Sequence, residues 1–222
     1  MHTRNRSSLP QSLPRVLLII VFFIGILLRI WRLGAHDLWH DEAISYFLAF
    51  KDAIPLSQSL EPPLYFLVLR LWLNIVPWPN EFFLRFPSFF FSACSIFLFY
   101  KLAKYLFDQK TALMSSFILS LSPFHIWYAQ EARSYSLYVF EVLAVTYILL
   151  KALEEDRLKL WVSFIVLAVA GLYTNYFVLF LFVAQFCILI SVRKYRKRII
   201  RWLRSCAVVF FAFFPALIKL YQ

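Results

Sequence analysis

Long apolar runs separated by short clusters of charge dominate the chain. The runs at about 16–33, 83–103, 111–128, 134–150, 159–174, 176–192 and 205–221 each approach the roughly 20 residues that carry a helix across a bilayer. They predict seven membrane spans. An eighth run, Leu64–Val76, is bracketed by Pro62-Pro63 and Pro77, and 13 residues of helix would cover only about 20 Å. It reads as a helix lying in the interface, and the aromatic run Ile44–Phe50 reads as another. Both fall in the connection from Gly34 to Glu81, which at 48 residues far exceeds a simple helix link and is of the length at which loops are usually functional. No fixed repeat and no pair of Gly-broken helices in matching halves is visible.

Charge then chooses an orientation. With the N-terminus inside and seven spans, the inner segments hold sixteen of the 23 Lys and Arg residues, including the cluster Arg193–Arg204. Making Leu64–Val76 a true span would turn that cluster outward, against the positive-inside tendency. The expected organisation is therefore a cytoplasmic tail at 1–15 and one transmembrane domain at 16–222 with an external loop at 34–82. Asp37, Asp41, Glu42, Asp52, Glu61, Glu81 and Glu131 all fall on the outer side, so any chemistry is expected there. Arg4, Arg6 and Arg15 before the run Val16–Leu28 suit a signal anchor, and Leu33-Gly34-Ala35 makes a poor cleavage site.

Composition agrees with this pattern. The chain is 62% hydrophobic and 16% charged, against roughly 25% charged in soluble domains, which excludes a soluble fold. The net charge of +11 needs no nucleic acid as partner once the cytoplasmic loops account for it. Cys94, Cys187 and Cys206 lie far apart in apolar runs and read as small packing residues rather than a disulfide frame or metal motif.

Three polar clusters could carry chemistry. His36-Asp37-Leu38-Trp39-His40-Asp41-Glu42 follows the first span and opens the first interfacial helix. Carboxylates there suit a helix N-terminus as well as catalysis. Glu61-Pro62-Pro63-Leu64-Tyr65 opens the second interfacial helix. Ser122-Pro123-Phe124-His125 through Gln130-Glu131-Ala132-Arg133 forms a polar outer connection before the fourth span. Arg29, Arg32, Arg85 and Arg133 lie on the side where the topology bias disfavours them. Local ion pairs or lipid headgroups would explain each one singly, whereas their convergence with three acidic sites favours a phosphate-bearing lipid. His36 and His40 at i, i+4 could ligate a divalent metal, a weaker signal than polar residues preceding a helix. Glu141 inside the fourth span should face the bundle.

These motifs resemble those of the C-type, polyprenyl-phosphate-sugar-dependent glycosyltransferases, the superfamily of protein O-mannosyltransferases and lipid A aminoarabinose transferases, and most of all its bacterial members. The likeness is carried by Leu28-Arg29-Ile30-Trp31, Leu38-Trp39-His40-Asp41-Glu42-Ala43, Pro62-Pro63-Leu64-Tyr65, Leu84-Arg85-Phe86-Pro87-Ser88, Ser122-Pro123-Phe124-His125 and Gln130-Glu131-Ala132-Arg133, and continues more weakly to Tyr176. It implies an all-α polytopic membrane bundle, about seven transmembrane and two interfacial helices forming part of the C-type fold. It implies a catalytic Asp41 assisted by Glu42, a substrate site drawing on Glu61, Tyr65, Arg29, Arg85, Gln130 and Glu131, and a donor phosphate held by Arg133. A divalent metal is an open alternative as cofactor.

The implied partners are a polyprenyl-phosphate sugar donor, a lipid, glycan or protein acceptor, and membrane lipids, with the active site on the outer face of a bacterial inner membrane. Two positions depart from the family pattern, Glu61 and Asn175, where relatives often carry His. The family also has more spans, so the chain reads as an N-terminal portion. The rival expectation is a non-catalytic membrane protein, either a truncated relative or a lipid-binding or transporter subunit.

Overall fold

The computed structural model describes residues 13–50, 61–76, 78 and 80–220. Among them every regular element is a helix. The helices are α1 (Leu13–Ile30), α2 (His40–Ala49), α3 (Leu64–Leu73), α4 (Glu81–Leu106), α5 (Gln109–Leu121), α6 (Pro123–Ala129), α7 (Tyr135–Glu155), α8 (Leu158–Thr174), α9 (Val178–Ser191), α10 (Arg193–Arg196) and α11 (Ile199–Leu220). The tail before Leu13 and the part of the long connection at 51–60, Asp52 included, lie outside the described residues.

The bundle is organised around α4 and α7, the two helices among the described residues long and apolar enough by themselves to cross a bilayer. α1, α5 and α6 pack on one side of α4, and α8 packs on α7 and carries α11. Trp161, Phe164, Leu172, Val145 and Val209 fill the core of the second half. Large apolar side chains such as Ile19, Phe23, Val166, Phe180, Val183 and Phe211 point away from the bundle. Water would make that belt costly, and lipid makes it natural. The protein is thus a helical membrane bundle. α2 and α3 sit with the start of α4, α6 and the start of α7 at one end, here termed the cap end. The starts of α8 and α11, with α10, form the opposite, basic end.

α3 has 10 residues, about 15 Å of helix, half of a hydrocarbon core of roughly 30 Å. Too short to span, it packs on α2 and α4 around Tyr65, Phe66 and Leu69. α2 begins at His40, one turn before the expected apolar run. The run 111–128 is not one helix. It breaks at Ser122-Pro123 into α5 and α6, so most of the expected polar connection is itself helical. Cys206 is buried as expected of a packing residue, but Cys187 is exposed on the apolar outside of the bundle.

Two prolines explain how the cap end is held. Pro87, inside α4, has no N–H to give to the carbonyl of Phe83 four residues back. The indole Nε1 of Trp72 donates to that carbonyl at 2.8 Å, and the Trp72 ring stacks on Phe86 at 4.9 Å between centroids. The lesion in α4 is therefore the docking point of α3. Pro123 likewise cannot serve the carbonyl of Leu119, which keeps a 3.2 Å bond from the Ser122 N–H, and the break leaves the Ser120 carbonyl open. The fully buried Arg29 of α1 donates Nη1 to the Ser120 carbonyl at 3.0 Å and Nη2 to that of Leu119 at 3.4 Å. Its Nε donates to Ser92 at 2.8 Å, and Nη2 lies 2.7 Å from His125 Nδ1. Gly25 lets α1 come this close, since a Cβ there would stand 2.6 Å from the buried Ile96 side chain.

Trp72→Phe should leave the Phe83 carbonyl without a donor, costing about 1–3 kcal/mol. In a Pro87→Ala background, where residue 87 regains its N–H, the same substitution should cost clearly less. Thermal unfolding of the four proteins in detergent measures the difference, and equal costs in both backgrounds would contradict this account.

Candidate functional site

The cap end is assembled by a buried ion pair. Glu42, in the first turn of α2, is fully buried, and Arg85, in the first turns of α4, is 4% exposed. Arg85 Nε donates to Glu42 Oε1 at 2.8 Å and Nη2 to Oε2 at 2.7 Å. The remaining Arg85 donors go to the carbonyls of Leu33 at 2.9 Å, His36 at 3.0 Å and Asp37 at 3.2 Å. Glu42 Oε1 also accepts from the backbone N–H of Ala132 at 2.8 Å. One pair thereby fixes the turn after α1, the start of α2, α4 and the segment before α7. The turn after α1 needs that support, because Arg32 adopts φ 59°, a conformation L residues other than Asn, Asp and His seldom take.

Holding Ala132 positions its neighbour. Arg133 has a buried side chain whose Nη1 lies 3.0 Å from Glu61 Oε1 and whose Nη2 lies 3.8 Å from Asp41 Oδ2. Asp41, Glu61 and Arg133, far apart in sequence, meet at one place. Asp41 and Glu61 keep roughly a third or more of their side chains exposed, against 10% for Arg133. The carboxylates therefore form the accessible rim and the guanidinium the floor. Burial alone would lower the Arg133 guanidinium, but Glu61 and the Tyr135 hydroxyl outweigh it and hold it above its usual value. Its Nε is buried without an acceptor among the described residues.

Other expected site residues support this group from beneath. The fully buried Tyr65 places its hydroxyl 2.9 Å from Ser88 Oγ, and Ser88 Oγ donates to the Arg133 carbonyl at 3.1 Å. Desolvation pushes the Tyr65 phenol above its ordinary range. Gln130 Nε2 donates to the carbonyl of Trp31 at 2.8 Å, with longer bonds to Arg29 and Leu28. It caps the carbonyls that α1 leaves open at its end. Glu131 is buried beside Trp127, whose indole N–H it accepts. Burial pushes its carboxyl up, with the Glu42 and Asp41 charges adding to the shift and the Trp127 bond opposing it. A cleft of about 230 Å³ opens beside these groups, lined by Arg32, His36, Asp37, Trp39, Gln130 and Glu131.

The geometry divides the expected residues into two sets. Asp41, Glu61 and Arg133 face one another at an accessible place, and Glu131 lines the adjoining cleft. Glu42, Arg85, Arg29, Tyr65 and Gln130 spend their polar atoms on the protein itself. Ser88, which closes the Leu84–Ser88 motif, and Trp127, one helical turn before Glu131, carry no site role in the sequence reading and are joined to the site only by these contacts. Among the described residues no group of three or more His, Cys, Asp or Glu could hold a metal ion. His36 and His40 are both exposed.

Glu42→Gln should destabilise the protein by about 3–5 kcal/mol, because it leaves the Arg85 charge buried without a counter-ion. Arg85→Met in the same chain should recover a large part of that loss. Unfolding midpoints of the single and double variants test the pair, and a fully additive double variant would refute it.

A comparison with curated proteins finds no match. Residues 60–218 match the family described as dolichyl-phosphate-mannose-protein mannosyltransferase. Glu61, Tyr65, Arg85, Gln130, Glu131 and Arg133 lie within the matched segment, and Arg29, Asp41 and Glu42 precede it. The match covers well over half of the chain, and the chain belongs to this family of membrane glycosyltransferases of the C type.

Proposed function

We propose that the protein transfers a sugar from a polyprenyl-phosphate donor to a hydroxyl of a lipid, glycan or protein acceptor, at the outer face of a bacterial inner membrane. The observation that carries this reading is the meeting of Asp41, Glu61 and Arg133 at an accessible place on the cap end. Asp41 acts as the base. Its carboxylate takes the proton of the acceptor hydroxyl, whose oxygen attacks the anomeric carbon while the bond from that carbon to the phosphate oxygen breaks, with inversion. The leaving phosphate gains negative charge as that bond breaks. Arg133, whose Nε has no acceptor among the described residues, supplies donors to this charge, which favours the transition state over the ground state. Glu61 orients Arg133 through its 3.0 Å contact.

Glu42 and Arg85 act as positioning residues, because their polar atoms are consumed in the pair that holds α2 and Ala132. Arg29, Tyr65 and Gln130 support the same arrangement, and Glu131 contributes to the cleft wall. In this reading residues 1–15 are a cytoplasmic tail, 16–222 one transmembrane domain, and 34–82 an external connection. The basic residues gathered at the basic end support that orientation through the positive-inside tendency.

Asp41→Asn should lower transfer about 10²- to 10⁴-fold, the span attributed to general-base catalysis, while leaving donor binding nearly intact. Arg133→Ala should weaken donor binding as well as turnover. Membranes supplied with a radiolabelled polyprenyl-phosphate sugar measure both, and full turnover by the Asp41→Asn variant would remove the base from the mechanism. Orientation is tested separately by replacing Ser57 with Cys in a chain lacking Cys94, Cys187 and Cys206. An impermeant maleimide should label intact cells, and labelling only after lysis would reverse the assignment.

A further inference from the structure

At the basic end, α8 and α11 start side by side and run in the same direction, leaving a groove of about 540 Å³ between them. Its lining passes from Lys197, in the turn before α11, through Arg204 to Val208 along α11, and along α8 from Leu158 to Val162 and Ile165. Each helix therefore presents the start of the groove at the charged end and its continuation as apolar surface. This is the order of groups in an amphiphile with an anionic head. We propose that the groove binds a glycerophospholipid with a negatively charged headgroup, the phosphate at the Lys197–Arg204 rim and the acyl chains along Val162, Ile165 and Val208.

The rim carries more positive charge than the protein neutralises. Asp156 ends α7 at φ 53°, and its carboxylate accepts from Arg198, from Arg201 Nη1 at 2.7 Å and from Trp161 Nε1 at 3.0 Å. Arg201 also stacks over the Trp161 ring at 5.5 Å. One carboxylate thus serves two arginines and fixes the α7–α8 turn against α11. Lys197 and Arg204 are exposed, and their side chains make no hydrogen bond or ion pair among the described residues. α8 begins here with no side chain capping it, so its positive dipole end adds to the same field. A neutral lipid would leave that charge unmet. A soluble acidic ligand would leave Val162 and Val208, each about half exposed, without a partner. Basic clefts between helices at the cytoplasmic side are a recurrent place for acidic lipid headgroups.

This inference does not depend on the transferase reading, since the groove lies at the opposite end from Asp41 and Arg133. Native mass spectrometry of the full chain released from a neutral detergent, with dioleoylphosphatidylglycerol or dioleoylphosphatidylcholine added, tests it. The anionic lipid should bind about tenfold or more tighter than the zwitterionic one. K197Q/R204Q should weaken the anionic lipid by roughly fivefold per charge removed and bring it near the zwitterionic lipid. V162W/V208W, which fills the apolar part and leaves the rim, should weaken both lipids. Glycerol 1-phosphate, a headgroup without chains, should not displace the bound lipid. Equal binding of the two lipids to the unaltered chain, an anionic preference that survives K197Q/R204Q, or displacement by glycerol 1-phosphate at matched concentration would each overturn the proposal.

Discussion

A guanidinium buried as deeply as that of Arg85 needs acceptors for its donors, and the cap end is built around meeting that demand. Glu42 supplies the carboxylate, and Leu33, His36 and Asp37 supply carbonyls from the turn after α1. The leftover acceptor capacity of Glu42 captures Ala132 N–H. Desolvating such a pair often offsets its attraction, so its value lies less in net stability than in the single arrangement it permits. Asp41 adjoins Glu42 in α2 and Arg133 adjoins Ala132. The distance between the two facing residues is therefore set by a pair to which neither belongs.

The same economy governs the backbone. Inside a bilayer an unsatisfied carbonyl has no water to turn to, so a proline that interrupts a helix releases an acceptor that a side chain of a neighbouring helix can meet. Trp72 meets the one released by Pro87, and Arg29 meets those released at the α5–α6 break. In both cases a second helix is fastened to the defect: α3 to α4, and α1 to the joint of α5 and α6. Gln130 does the same for the open end of α1. These contacts share one logic with the polar link inside the bundle, where Thr174 of α8 donates to Glu141 of α7 at 3.0 Å.

The apolar runs revealed most of the helices, because a bilayer-spanning pattern is long and leaves few alternatives. The run 111–128 misled for a definite reason. Its hydrophobicity is continuous across Ser122-Pro123, and only the missing N–H of Pro123 marks the break. The candidate site was legible as a set of residue types expected on one side of the membrane, and of these Asp41, Glu61 and Arg133 face one another. What spacing could not reveal was which arginines are spent. Arg29, Arg85 and Arg133 look alike in sequence, each close to a helix end, and differ only in how many of their donors the fold consumes. That number depends on carbonyls contributed from far away in the chain.

The arrangement around Arg133 also bears on how a site already rich in carboxylates could accept an anionic donor. Asp41 and Glu61 would repel a phosphate, and Arg133, which faces both, offsets that repulsion. In the proposed reaction, however, the charge on one side falls as that on the other rises. Asp41 becomes neutral as it takes the acceptor proton, and the phosphate becomes more negative as its bond to the sugar breaks. A guanidinium fixed near both sees a nearly constant total while negative charge passes from its carboxylate partner to the leaving group. Fixed donors that need not reorganise during such a shift lower the barrier more than mobile ones would. Burial, together with the 3.0 Å contact to Glu61 and the backbone hold on Ala132 and Arg133, denies Arg133 the freedom to reorganise.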